Sequence, residues 1–241
     1  MFRLSLAAVA VAVALAPEAD PKPVEAFNGK DLTGWKTREE KKSKWEAYEN
    51  SQPFLSSRNP SEFEPGGKEE TAPVKLPSTL VNTKSGGCDI HTEAKYTDVL
   101  VEVEFMIPKG SNSGVYLMGE YEVQIIDSFG KADDKLTPGD MGGIYTAAAP
   151  KKNACKKAGE WQKFVIDFQA PKFEGDKKTA NGKFLKVTFN DVVIHENVEV
   201  TKSTGGGLTG KEVASGPLMF QGDHGPVAFR NIKITPVIVK K

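Results

Sequence analysis

Hydrophobic positions along most of this chain recur at every second residue, the period of a strand that buries one face and shows the other to solvent. In DVLVEVEFMIP, Val99, Val101, Val103 and Phe105 alternate with Leu100, Glu102, Glu104 and Met106, and Pro108 stops the run. WQKFVIDFQA repeats the pattern with Phe164, Ile166 and Phe168, and KFLKVTFN with VVIHENV reads as a hairpin across Asn190-Asp191. PLMFQGDHG and PVAFRNIKITP predict two late strands, KSKWEAYEN and STLVNT two early ones. No amphipathic helix and no repeat of fixed period stands out. About ten short strands between turn signals predict an all-β sandwich or barrel and argue against a propeller or solenoid.

The densest pattern lies in residues 111–130, SNSGVYLMGEYEVQIIDSFG, which predict two neighbouring strands joined by a tight turn. Tyr121, Val123 and Ile125 point to one face and Glu122 and Gln124 to the other, an alternation that any half-solvated strand would share. Asp127 follows, and a bulge after Gln124 would bring all three polar side chains onto one surface. Two carboxylates flanking a sugar linkage can act as acid and base or as nucleophile, so Glu122 and Asp127 are candidate catalytic residues and Gln124 a candidate ligand contact. In GDHGP, glycines hold Asp223 and His224 in a sharp turn, and Arg230 alternates away from Val227 and Phe229. His224 is the natural proton carrier there, with Asp223 and Arg230 as binding candidates. Asn112 and Tyr145 are candidates to hydrogen-bond a hydroxylated ligand, and Trp161 or Tyr116 to face a sugar ring. His91 is a weaker candidate, and His195 reads as an exposed residue after a hairpin.

Composition narrows the picture. The 241 residues carry 32 Lys plus Arg against 32 Asp plus Glu, so no overall field attracts nucleic acid or an anionic membrane. Residues 1–18 begin with Arg3 and an apolar run ending at Ala16-Pro17, which reads as a secretory signal peptide; a retained N-terminal anchor is the lesser alternative. With no cysteine at the end of that run, lipid anchoring is disfavoured. A leader over 19–23, one domain over 24–236 and a tail over 237–241 complete the expected organisation. Residues 51–77 are rich in Pro, Ser, Gly and charge and are expected to form a surface excursion. An exported chain acting outside the cytoplasm, secreted or periplasmic, leaves open a disulfide between Cys88 and Cys155 or two free thiols. No stable membrane insertion is expected after signal removal, and no P-loop, dinucleotide fingerprint, nucleophile elbow or zinc pattern occurs.

Four ordered motifs, FNGKDLTGWK, SNSGVYLMGEYEVQIID, GEWQKFVIDF and GDHGPVAFRNIKI, resemble the 3-keto-disaccharide hydrolase domain family over residues 24–236. The resemblance implies a concanavalin-like jelly-roll sandwich of two antiparallel curved sheets, similar to laminarinase-type glucanases. Those glucanases carry Glu-x-Asp-x-x-Glu; Glu122-x-Gln124-x-x-Asp127 keeps the spacing with an amide in the middle. An amide cannot supply the middle charge, which argues against ordinary retaining hydrolysis. It suits cleavage of a 3-keto-glycoside, where the ketone acidifies the hydrogen on carbon 2. A glycoside or oligosaccharide is the expected partner, a divalent cation on Glu122, Asp127 or His224 is left open, and the alternative is a lectin-like domain without catalysis.

Overall fold

The computed structural model describes residues 21–64 and 76–237. The signal peptide expected over 1–18, residues 65–75 of the 51–77 excursion and nearly all of the tail lie outside the described residues. Strands β1 Val24–Glu25, β2 Trp35–Thr37, β3 Trp45–Tyr48, β4 Phe54–Leu55 and β5 Phe63–Glu64 come first. Then follow β6 Thr79–Asn82, β7 Ile90–Thr92, β8 Val99–Met106, β9 Asn112–Leu117 and β10 Tyr121–Ile126. After a long loop come β11 Gln162–Gln169, β12 Lys172–Glu174, β13 Lys177–Ala180, β14 Gly182–Phe189, β15 Val192–Val200, β16 Met219–Phe220 and β17 Val227–Pro236.

These strands build an all-β sandwich of concanavalin type from two large antiparallel sheets. The larger runs β15-β14-β11-β8-β17-β6-β3, with β1 added on β17; the smaller runs β10-β9-β16-β7-β2. The alternating apolar residues of both sheets meet in one core. At its centre Phe220 of the smaller sheet stacks on Phe229 of the larger, centroids 3.9 Å apart. Trp35 continues the stack behind Phe220 and Trp45 behind Phe229. Each fully buried ring contributes roughly 1.5–3 kcal/mol by leaving water. The indole N–H groups are satisfied as well, Trp35 donating to the Ala26 carbonyl and Trp45 to that of Cys88.

Because Phe220 and Phe229 face each other, the intervening segment carries the chain from one sheet to the other. Side chains that alternate away from these two rings therefore emerge on opposite outer faces of the sandwich, which decides the membership of the site below.

Two expectations meet particular outcomes. The described part of the 51–77 excursion forms the β4–β5 hairpin, and nearby Gln52 accepts hydrogen bonds from Trp161 and Arg230 on the outer face of the larger sheet. His195 is not exposed: a register shift between Val187 and Thr188 turns both Ile194 and His195 inward, and Nε2 of His195 bonds to the Gly142 carbonyl at 2.8 Å. Burial pushes its imidazole below the ordinary histidine value. Cys88 and Cys155 are both free thiols. Among the described residues, no helix is long and apolar enough to cross a membrane.

Candidate active site

The smaller sheet shows its second face away from the core, and its register writes out who shares that face. Lys36 pairs with His91, His91 with Met219, Met219 with Tyr116 and Tyr116 with Glu122, one continuous row across five strands. Two residues along β10, Gln124 lies opposite Gly114. Beyond Gly114, Gln221 donates its N–H to the Gly114 carbonyl, and Asp89 precedes β7.

Strand β10 is the edge of this sheet, and the segment after it covers the edge. Gly142 donates to the Gln124 carbonyl, Gln124 to that of Gly143 and Tyr145 to that of Glu122. Since the backbone groups of Glu122 and Gln124 point outward to this cover, their pairings with Tyr116 and Gly114 are of the non-hydrogen-bonded kind, in which side chains approach most closely. The Tyr116 hydroxyl donates to the Glu122 carboxyl. A Cβ at Gly114 would sit 2.2 Å from Glu122 Oε1, so the carboxyl leans over the bare backbone of β9 toward the middle of the face. Oriented so that each amide atom meets a matching partner, Gln124 donates to Glu122 Oε1 at 2.9 Å and to the Ser113 carbonyl at 3.0 Å. The amide at position 124 therefore steadies its neighbour's carboxyl from below, which a third carboxylate could not do.

Burial dominates the electrostatics of Glu122, which is 2% exposed. Desolvation pushes its carboxyl up to about 8; the Tyr116 hydrogen bond works against this, and the charges of Asp89 and Asp223 add to it. Tyr116 is itself pushed far above the usual phenol value by burial and by Glu122, so it remains a neutral donor. Burial likewise raises Asp89, which is held by the Gly222 N–H and by Arg38 at 3.1 Å. Asp223 pairs with Nδ1 of the half-exposed His224. At His91, Nδ1 lies 3.0 Å from the Thr92 carbonyl; a carbonyl can only accept, so Nδ1 carries the proton and Nε2 is left for exchange.

Two buried acceptors on this side lack partners, Asn112 Oδ1 and Gln221 Oε1. Asn112 lies on the same face as Gly114 and Tyr116 by the register of β9, and Gln221, one residue beyond β16, falls opposite Gly114. A buried carbonyl oxygen without a donor costs about 1–3 kcal/mol. Hydroxyl groups of a ligand would satisfy both.

Of the residues singled out in the sequence, Glu122, Gln124, Asn112, Tyr116 and His91 share one face, and Asp223, paired with His224, acts on Glu122 through its charge. Tyr145 stands at its rim, 37% exposed, with its ring between Gly139 and Gly205. Asp127, Arg230 and Trp161 are elsewhere. The register of β10 runs without a shift through Ile126, so no bulge brings Asp127 round; its carboxylate accepts from the Gly110 and Phe129 N–H groups and fastens the turn before β9. Arg230 emerges on the outer face of the larger sheet, ion-paired to Glu104 at 2.7 Å and stacked 3.9 Å over Trp161. Gly114, Asp89 and Gln221 complete the site. The pairing of Tyr116 with Glu122 could be found by extending the alternation of β10 across the hairpin; Asp89 and Gln221 lie in short links that carry no period. Among the described residues no three His, Cys, Asp or Glu are arranged to hold a metal ion.

A solved structure from Parabacteroides distasonis, titled a "putative glycosyl hydrolase", is similar at 25% identity, covering 89% of this chain and 84% of that one with a TM-score of 0.60. A second from the same organism and of the same description shares the fold at 17% identity and a TM-score of 0.55, covering 90% and 94%. No curated protein matches the sequence. The family model of the 3-keto-alpha-glucoside-1,2-lyase-like domain matches residues 22–235, and the chain belongs to that family.

Proposed function

We propose that the chain cleaves 3-keto-glycosides by elimination across C1 and C2 followed by hydration, acting outside the cytoplasm on substrate bound to the outer face of the smaller sheet. The observation that carries this reading is the Glu122 carboxyl, held over Gly114 with its affinity for protons raised to about 8, on a face that also carries two unpartnered amide oxygens. A carboxylate of that basicity is better matched to a carbon acid than an ordinary one. The ketone at C3 lowers the acidity barrier further.

In this reading Glu122 takes the hydrogen of C2, and the electron pair of that bond is delocalised onto the C3 oxygen. His224, paired through Nδ1 with Asp223, offers a ring N–H to the developing enolate. The enolate then reforms the ketone as the C1=C2 double bond forms and the C1–O bond breaks. The departing oxygen takes the proton that Glu122 has just removed from C2, which returns the carboxyl to its starting form. Water adds across the double bond, hydroxyl to C1 and hydrogen to C2, so that the net change is hydrolysis. Asn112 and Gln221 accept from sugar hydroxyls, and Tyr145 flanks the rim.

The test compares a 3-keto-disaccharide with its parent sugar, following release of the two halves by chromatography. The keto sugar is expected to be cleaved and the parent, whose C2 hydrogen is not acidic, to be untouched. Equal cleavage of both would make this an ordinary glycosidase, and binding without cleavage would make it a lectin.

A further inference from the structure

Tyr116 is only 1% exposed although it stands on the face turned away from the core. At its hydroxyl end the cover is the loop of residues 201 to 217. Gly206 lies against the hydroxyl: a Cβ built on it would stand 2.7 Å from that oxygen, with the nearest ring carbon at 3.6 Å. Gly206 is itself exposed, so the cover is one chain thick, with solvent above it and the phenol below.

This stretch is fastened at both ends to the strand that carries Glu122. The Thr204 hydroxyl accepts from the Glu122 N–H at 2.9 Å, and the Thr204 N–H donates to the Glu120 carbonyl at 3.0 Å. Past the glycines, Leu208 donates to the Gly119 carbonyl at 2.7 Å, and Glu120 Oε1 accepts from the N–H and the hydroxyl of Thr209. Between these ties run Gly205, Gly206 and Gly207, the first two with φ of +97° and +66°, a conformation that favours glycine. A bare backbone is thereby held directly on the Tyr116 oxygen.

The placement matters because that oxygen carries the proton donated to Glu122. A phenol open to solvent would share its proton with water, whereas one closed under backbone keeps the carboxyl as its acceptor. Besides Tyr116 from β9, the groups that face this carboxyl are the Gln124 amide on its own strand, Asp89 from the link before β7 and Asp223 from the corner after β16. Burial and the two aspartates favour a proton on Glu122, and the Tyr116 bond opposes them.

We infer that Gly206 is a positioning residue, whose bare backbone seats the Tyr116 hydroxyl on the Glu122 carboxyl and shields that bond from water. Through the bond it governs where the carboxyl gives up its proton. Only the consequence for turnover rests on the proposed 3-keto-glycoside chemistry.

The test follows the Glu122 carboxyl by carbon-13 NMR in protein labelled at glutamate Cδ, its resonance assigned by its loss in Glu122→Gln. Gly206→Ala is expected to raise the midpoint of its titration by about one pH unit, as Tyr116→Phe does, and the two together by no more than either alone. Gly210 is the control: it lies in the same loop at φ +69° with nothing within 4 Å of an added Cβ. Gly210→Ala carries the same backbone strain and should leave the midpoint in place. In thermal melts Gly206→Ala should lower Tm more than Gly210→Ala, and by an equal amount once Tyr116 is replaced by phenylalanine, because the obstructing hydroxyl is gone. That second comparison reads the contact even where Gly206→Ala alone fails to fold. In the active protein the pH at which kcat/KM levels off should rise with the midpoint. A midpoint unmoved by Gly206→Ala, or a Gly206→Ala loss undiminished by Tyr116→Phe, overturns the inference. If the midpoints move as expected and no 3-keto-glycoside is cleaved, the seat stands and the reaction assigned to Glu122 falls.

Discussion

Glu122→Gln is expected to abolish cleavage of a 3-keto-glycoside, by about 10³-fold or more, and at the same time to make the protein harder to melt. The second effect follows from the proton balance. The folded chain holds a proton on Glu122 up to about pH 8, whereas the unfolded chain releases it near 4.5. Between those values the native state binds more protons than the unfolded one, so the wild-type protein loses stability as pH rises through that window. Below about pH 4.5 the contribution is fully retained; above about 8 the loss is complete. Glutamine, neutral throughout, escapes the loss. The difference between variant and wild type should therefore be near zero around pH 4.5 and grow to a few kcal/mol at pH 8. At this chain length that is roughly 5–12 °C in Tm. Thermal melts of both proteins across pH 4.5 to 8.5 read this directly, and a Tm difference that does not change with pH would show that Glu122 carries its charge in the fold. In the same account wild-type kcat/KM climbs with pH and levels off near 8, because only the carboxylate can take the C2 hydrogen.

Gly114→Ala is expected to cost about 100-fold in turnover and about 1–3 kcal/mol in stability, although alanine is an acceptable strand residue. The added methyl would meet Glu122 Oε1 at 2.2 Å and Cδ and Cγ at 2.9 Å, so the carboxyl must leave its seat and with it the Tyr116 and Gln124 bonds. The cause is testable by a double-mutant cycle in urea. With Glu122 shortened to alanine the collision is gone, and Gly114→Ala should then cost under about 0.5 kcal/mol. Additive losses would mean that Gly114 serves the backbone of β9 and not the side chain opposite.

Much of this arrangement is legible in the residues, and the illegible part has particular causes. The alternation of Tyr121, Val123 and Ile125 with Glu122 and Gln124 reports one strand with two faces, because a pleat has no other period. It cannot report whether a bulge follows. β10 ends unbulged at Ile126, and Asp127 therefore turns to cap a loop. Arg230 shows a deeper limit. Its alternation with Phe229 is as clear as that of Glu122, but alternation distinguishes inside from outside and does not say which outside. The GDHG corner moves the chain between sheets, leaving Asp223 where its charge acts on Glu122 and carrying Arg230 to the opposite surface. Partnership across the sheet is also invisible from local pattern: Gly114 reads as a weak strand residue until Glu122 is seen lying over it. His195 was masked by a register shift, which breaks the period that would have marked it as buried.

The most direct measurement of the central claim, removal of the C2 hydrogen by Glu122, is the reaction of a 3-keto-disaccharide in deuterated water with mass and NMR analysis of the sugar product. Elimination followed by hydration predicts one solvent deuterium at C2 of the released 3-keto sugar, formed faster than in an enzyme-free control and no faster than that control with Glu122→Gln. A product that keeps its original C2 hydrogen while the linkage is cleaved would contradict the account and assign direct displacement at C1.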